Sequence, residues 1–138
     1  MGRNFQRSRI YKWESEWSDW NRQTLSLKKC RKLIHAACKL FDLKMLPVVK
    51  RSEEQFSYHR KAGEIGLLKQ HQTPAVALHE AAHYIVFQTD GRHGHDELFM
   101  GVYLVLLAHF RIAPRDALEH SLRKRKIKWI QVKKKGRS

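Results

Sequence analysis

The sequence predicts an α+β domain: an N-terminal helix, a small and mostly antiparallel sheet, two buried helices, and a C-terminal helix running into a basic tail. Three observations carry this. Apolar residues recur at helical spacing over residues 24–42, the period changes to alternation after Pro47, and Thr73-Pro74 opens a run of nearly continuous apolar helix. A chain of 138 residues, 42% of them hydrophobic, suits one domain around one core.

Residues 1–12 are basic and carry no core pattern, so they read as a loose arm. Trp13, Trp17 and Trp20 fall on one helical face, suited to packing or, beside Arg22, to stacking on bases. Leu27, Cys30, Ile34, Ala37 and Phe41 form the stripe of an amphipathic helix, with Lys28, Lys29, Arg31, Lys32 and Lys39 largely outside it. Pro47 to Lys50, Phe56 to Arg60 and Glu64 to Leu68 read as three short strands, with Gly63 allowing a turn. Thr73 is a capping hydroxyl before a proline at the first helical position, and Asp90-Gly91 stops that helix. Leu98 to Phe110 is apolar nearly all round and reads as a buried helix; Pro114 opens a last helix to about residue 125. The expected organisation is an arm at 1–12, a domain at 13–125 and a basic tail at 126–138.

The formal charge is +15, and residues 121–138 alone hold nine Lys or Arg and no acid. Such a balance favours nucleic acid or another polyanion as a neighbour, or else provides a solubilising tail. Cys30 and Cys38 lie on one predicted helix about 12 Å apart, too far for a disulfide, and read as buried apolar groups in a reducing compartment. The N-terminal residues show no apolar signal segment, and the longest apolar run is about half a membrane span. The expectation is a cytoplasmic protein without membrane contact, in the host cell if phage-encoded.

Residues 79–83 read His-Glu-Ala-Ala-His. Histidines at i and i+4 lie about 40° apart on a helix, so two imidazoles can meet one ion, while Glu80, about 100° away, can reach a water without being a ligand. Glu80 is the only acid or base of fixed charge between Pro74 and Gln88, among Val76, Ala77, Leu78, Ile85 and Val86. Burying a carboxylate there is costly unless it has work to do. A third ligand is offered by His95, at the start of the second buried helix, with His93 as its rival. Glu97 and Glu119 are weaker alternatives, and His35, His59, His71, His109 and His120 have no partner at ligand spacing.

His79-Glu80-Ala81-Ala82-His83-Tyr84-Ile85-Val86-Phe87, a short loop, then His95-Asp96-Glu97-Leu98-Phe99 resembles the SprT-like (Spartan-type) zinc metallopeptidases, in particular the small stand-alone forms of phages. Their pattern is HExxH, a loop, and a histidine opening HGxxF; here Asp96 replaces the glycine and Gly94 precedes the histidine. The resemblance covers residues 74–107. It implies a zincin-like fold, Zn²⁺ held by His79, His83 and His95, Glu80 as general base and proton donor, Phe99 as a packing residue, and a protein or peptide substrate, with action close to DNA through the basic segments at 1–12, 22–32 and 123–137. Tyr84 and Tyr103 are candidates for an oxyanion helper by residue type alone. The alternative is a basic nucleic-acid-binding or assembly protein whose metal site is structural or vestigial; a metal-dependent hydrolase of a non-peptide amide would share the same site.

Overall fold

The computed structural model describes residues 6–17, 23–43, 48–50, 58–60, 64–67, 73–91 and 94–134. Helices of 9, 14, 17, 13 and 10 residues build the described structure: α1 (Arg7–Ser15), α2 (Leu27–Leu40), α3 (Pro74–Asp90), α4 (Glu97–His109) and α5 (Arg115–Lys124). Three strands of three or four residues, β1 (Val48–Lys50), β2 (Tyr58–Arg60) and β3 (Glu64–Leu67), lie in the order β1-β3-β2.

This corrects the expected class. The fold is helical, not an α+β zincin-like one: five helices make up most of the described residues. The strands are short and lie against α2 and α3. Nor is their pairing mostly antiparallel, since β1 runs parallel to β3, with Val48 opposite Ile65, and only β2 is antiparallel to it.

Helix α3 is the axis of the molecule, packed between α2 and α4. Thr73 caps it, its hydroxyl accepting from the Val76 amide at 3.4 Å, and Gly91 ends it in the left-handed conformation (φ 71°). Alanines 75, 77, 81 and 82 are all buried, and these short side chains let the neighbouring helices approach closely. Ser26 caps α2 by accepting from the Lys29 amide, and Cys30, Ile34, Ala37 and Cys38 face α3's side of the core. In α4 every residue from Phe99 to Leu107 is buried, as an all-apolar helix requires.

Three helices end in a left-handed residue that is not glycine. Asp42, Arg111 and Lys126 take φ values of 58°, 58° and 59° directly after α2, α4 and α5. In each case the next amide reaches back to a carbonyl in the last helical turn: Leu43 to Cys38, Ile112 to Leu107 and Ile127 to Leu122. The apolar residue that follows each left-handed position packs on the core, which offsets the backbone cost.

Both expected appendages are corrected as well. The arm at 1–12 becomes α1 from Arg7 onward, with Ile10 and Trp13 fully buried and the Trp13 indole donating to Ser121 Oγ at 2.7 Å. Trp17 is half-buried beside it, whereas Trp20 lies outside the described residues. The start of the basic tail, residues 126–134, is a strap laid along α4. Ile127 is buried, and the Ile130 amide donates to the Glu97 carbonyl at 3.0 Å. A Cβ on Gly101 would overlap the Ile130 carbonyl oxygen and lie 2.8 Å from Val132 Cγ2, so glycine is what lets the strap lie flat. Its charged side chains point outward while its backbone packs, which is why composition reads it as a tail. Among the described residues, no helix is long and apolar enough to cross a membrane.

Candidate metal centre

Helix geometry brings His79 and His83 to one side of α3, one turn apart. The turn after α3 returns the chain to them: Gly94 takes φ 96°, His95 follows, and Asp96 caps α4 by accepting from the Phe99 amide at 3.0 Å. Asp96 therefore starts the helix that carries Phe99, immediately after His95.

The three Nε2 atoms converge. His95 Nε2 lies 3.2 Å from His79 Nε2 and 3.2 Å from His83 Nε2. For nitrogens each about 2.05 Å from a tetrahedral ion, the ligand–ligand edge is about 3.3 Å, so the spacing fits a shared metal. The fit extends to the donors themselves. Burial, helped by the neighbouring His79, pushes the His95 imidazole down to about 3, so it stays neutral with its lone pair available. His79 and His95 are buried and His83 is half-buried. The cluster can hold a metal ion. Phe99 lies against all three rings, at centroid distances of 5.0, 4.3 and 5.0 Å from His79, His83 and His95. It is an apolar wall that limits ring rotation.

Two further residues hold the ligands, and sequence reading assigned neither of them. Glu14 of α1 places Oε2 2.6 Å from His79 Nδ1 and 2.6 Å from the Tyr103 hydroxyl. A carboxylate only accepts, so Nδ1 carries the proton and the Nε2 lone pair is left to face the cluster. Burial alone would raise the Glu14 carboxyl, but the charge of His79 and the hydrogen bonds from His79 and Tyr103 outweigh it and hold it below its ordinary value. In return Glu14 raises His79 against the opposing effect of burial. Gln6 donates through Nε2 to the His95 carbonyl at 3.3 Å and to the Lys128 carbonyl at 3.1 Å, while its Oε1 accepts from the Lys128 amide at 2.6 Å. One buried amide thus fixes the backbone of the third histidine. The only signal for Glu14 was its spacing from Trp13 and Trp17 on a helical face; nothing local marked Gln6.

Glu80 is buried beside the cluster. Desolvation, with Glu14 adding and His79 opposing, pushes its carboxyl up from 4.5 to about 7. A carboxyl poised near neutrality can both accept and return a proton. His93 and His71 lie outside the described residues, as does the His59 side chain. Glu97 and Glu119 are not part of the cluster: Glu97 gives its carbonyl to the strap, and Glu119 pairs with Arg115 and Arg123 on α5. His109 stands at the far end of α4 beside Lys134. Cys30 and Cys38 are free buried thiols, pushed by burial up to about 11 and about 12.

Three imidazoles, with a buried carboxyl beside them and a carboxylate orienting one of them, define a site that can hold a metal ion. No known protein family, no curated protein and no solved structure matches the chain.

Proposed function

We propose that this chain is a zinc-dependent hydrolase acting on peptide bonds. The observation that carries the reading is the three-imidazole cluster beside a buried carboxyl held near neutrality. Three nitrogen donors, with His95 at a tetrahedral edge from both His79 and His83, suit zinc, and a site with three protein ligands keeps a fourth position for water; a purely structural site is usually closed by four. Zinc bound there would lower the pKa of a water and polarise a substrate carbonyl. Glu80 accepts the proton of the attacking water and passes it to the leaving amine as the C–N bond breaks. Glu14 keeps His79 in the tautomer that presents Nε2, and Phe99 and Tyr103 wall the site from bulk water. The likeness of residues 79–99 to the SprT-like peptidase motif supports peptides as substrates over other amides.

The test is metal content of protein purified without chelator, wild type beside His95→Ala, followed by casein cleavage by wild type and Glu80→Gln. One zinc per chain, lost in His95→Ala, and cleavage abolished in a Glu80→Gln protein that still holds zinc are the expected results. Full cleavage by Glu80→Gln would refute the assignment.

A second reading, nucleic acid as a neighbour, draws on a cleft of about 390 Å³ where two basic segments meet: Arg9 and Lys12 of α1 with Lys124 and Arg125 at the end of α5. The ends of this cleft are tied together, Arg9 donating to the Lys126 carbonyl at 3.0 Å and Arg125 pairing with Glu16. Lys12→Gln with Lys124→Gln should lower the slope of log affinity for duplex DNA against log salt by about 2. An unchanged slope rules the cleft out as the contact.

A further inference from the structure

Among the described residues three tyrosines lie near the cluster, and two of them are engaged in other contacts. The Tyr103 hydroxyl gives its single proton to Glu14 Oε2 at 2.6 Å. Tyr84 is buried on α3, within electrostatic reach of Cys38 on α2. Tyr11 is different. It stands one turn before Glu14 on α1 and is 44% exposed. Its ring meets His95 edge-on at 5.4 Å and lies nearly parallel to His79 at 6.2 Å. Arg7, one turn earlier again, donates from Nε to the Tyr11 hydroxyl oxygen at 3.4 Å and places its guanidinium 5.3 Å from the ring centre. Arg7, Tyr11 and Glu14, at i, i+4 and i+7, therefore line the one face of α1 that looks on the histidines.

We propose that Tyr11 donates a hydrogen bond to the carbonyl oxygen of the bound substrate, and that Arg7 is a positioning residue that fixes the phenol. A guanidinium is all donors, so its bond to Tyr11 uses an oxygen lone pair and leaves the phenolic O–H to point elsewhere. The ring lies against His79 and His95 and is part exposed, so that O–H is available to a group that binds beside the imidazoles. When the water oxygen bonds to the carbonyl carbon, the C=O π pair moves onto the carbonyl oxygen; Tyr11 stabilises this charge while keeping its proton. The water's proton goes to Glu80 and then to the leaving amine. The Arg7 charge favours the same anionic oxygen.

This inference rests on the hydrolytic reading of the site, and its test separates the two. Zinc-loaded full-length wild type and Tyr11→Phe, which keeps the ring against His79 and His95, are titrated with acetohydroxamate by calorimetry and assayed on casein. Tyr11→Phe should bind zinc within about twofold of wild type, bind acetohydroxamate about tenfold more weakly, and lose about 100-fold in kcat with little change in KM. Arg7→Met, at an exposed side chain where folding is not at stake, should weaken acetohydroxamate about threefold, with Arg7→Lys recovering part of it. An active wild type whose Tyr11→Phe variant keeps both acetohydroxamate affinity and kcat overturns the Tyr11 assignment alone. A zinc-loaded wild type without turnover overturns the hydrolytic reading and this inference with it.

Discussion

Replacing Glu14 with Gln changes one atom and removes one charge, yet it strikes the support of the candidate metal centre. The carboxylate accepts from His79 Nδ1 and from the Tyr103 hydroxyl, each at 2.6 Å and both at the same oxygen. A Gln oxygen can keep those two bonds only as neutral ones, and an amide placed the other way round presents an N–H to two donors. Hydrogen bonds to a charged group are worth about 1.5–3 kcal/mol, and neutral ones about 1, so each of the two weakens by roughly 1 kcal/mol. Loss of an outer carboxylate behind a ligating histidine costs about 10–100-fold in metal affinity, or about 1.4–2.8 kcal/mol, in line with that count. The assay is competition for zinc against a chromophoric chelator at pH 7.5. Glu14→Gln should bind zinc about 10–100-fold more weakly, and Tyr103→Phe, which removes one donor and leaves the charge, should lose less. The pH dependence provides an independent sign. Glu14 raises His79, so its removal lets His79 shed its proton at lower pH, and the rise of zinc affinity with pH should move to lower pH in the variant. Zinc affinity within twofold of wild type in Glu14→Gln would show that the contact does not support the ligand.

Two other outcomes test the core. In metal-free protein, the Glu80 carboxyl titrates at about 7 instead of 4.5, so the folded state holds its proton more tightly than the unfolded chain; stability from this group is full below pH 4.5 and is lost as pH rises through 7. Metal-free Glu80→Gln should therefore be more stable than wild type at pH 8, by up to about 3 kcal/mol, with the advantage gone at pH 4.5; urea unfolding in chelator at both pH values checks this, and a difference independent of pH would contradict it. Gly101→Ala should force the strap off α4, because the new methyl meets the Ile130 backbone rather than a movable side chain; a loss of about 1–3 kcal/mol is expected in the same assay, and a variant as stable as wild type would mean that the strap does not lie there.

The parts of this molecule written in local code were legible. Thr73 with Pro74, the stripe from Cys30 to Phe41, and the all-apolar run after Asp96 each specify a helix through neighbours within one or two turns. The histidine spacing is local code as well, which is why His79, His83 and His95 could be singled out before the structure brings them together. The class of fold was misread because three segments of three or four residues were given the weight of a layer, whereas five helices make up most of the described structure. The arm and the tail were misread for a related reason. Their basic side chains point to solvent, and what anchors them is two buried apolar residues of α1, Ile127, a glycine on another helix and a single glutamine. Glu14 and Gln6 act on residues 65 and 89 positions away, beyond the reach of any periodicity.

The Gln6 side chain also sets an order of events during synthesis. It bonds Lys128 across 122 residues, and with the same amide group it holds the backbone of His95. At about 5–20 residues per second, roughly 6 to 25 s separate the appearance of residue 6 from that of its partner. Only the last 33 of those residues follow the third histidine, so for about 2 to 7 s the three histidines exist without the clamp on the His95 backbone. The backbone of the third histidine is therefore held only after the strap has emerged and closed on Gln6.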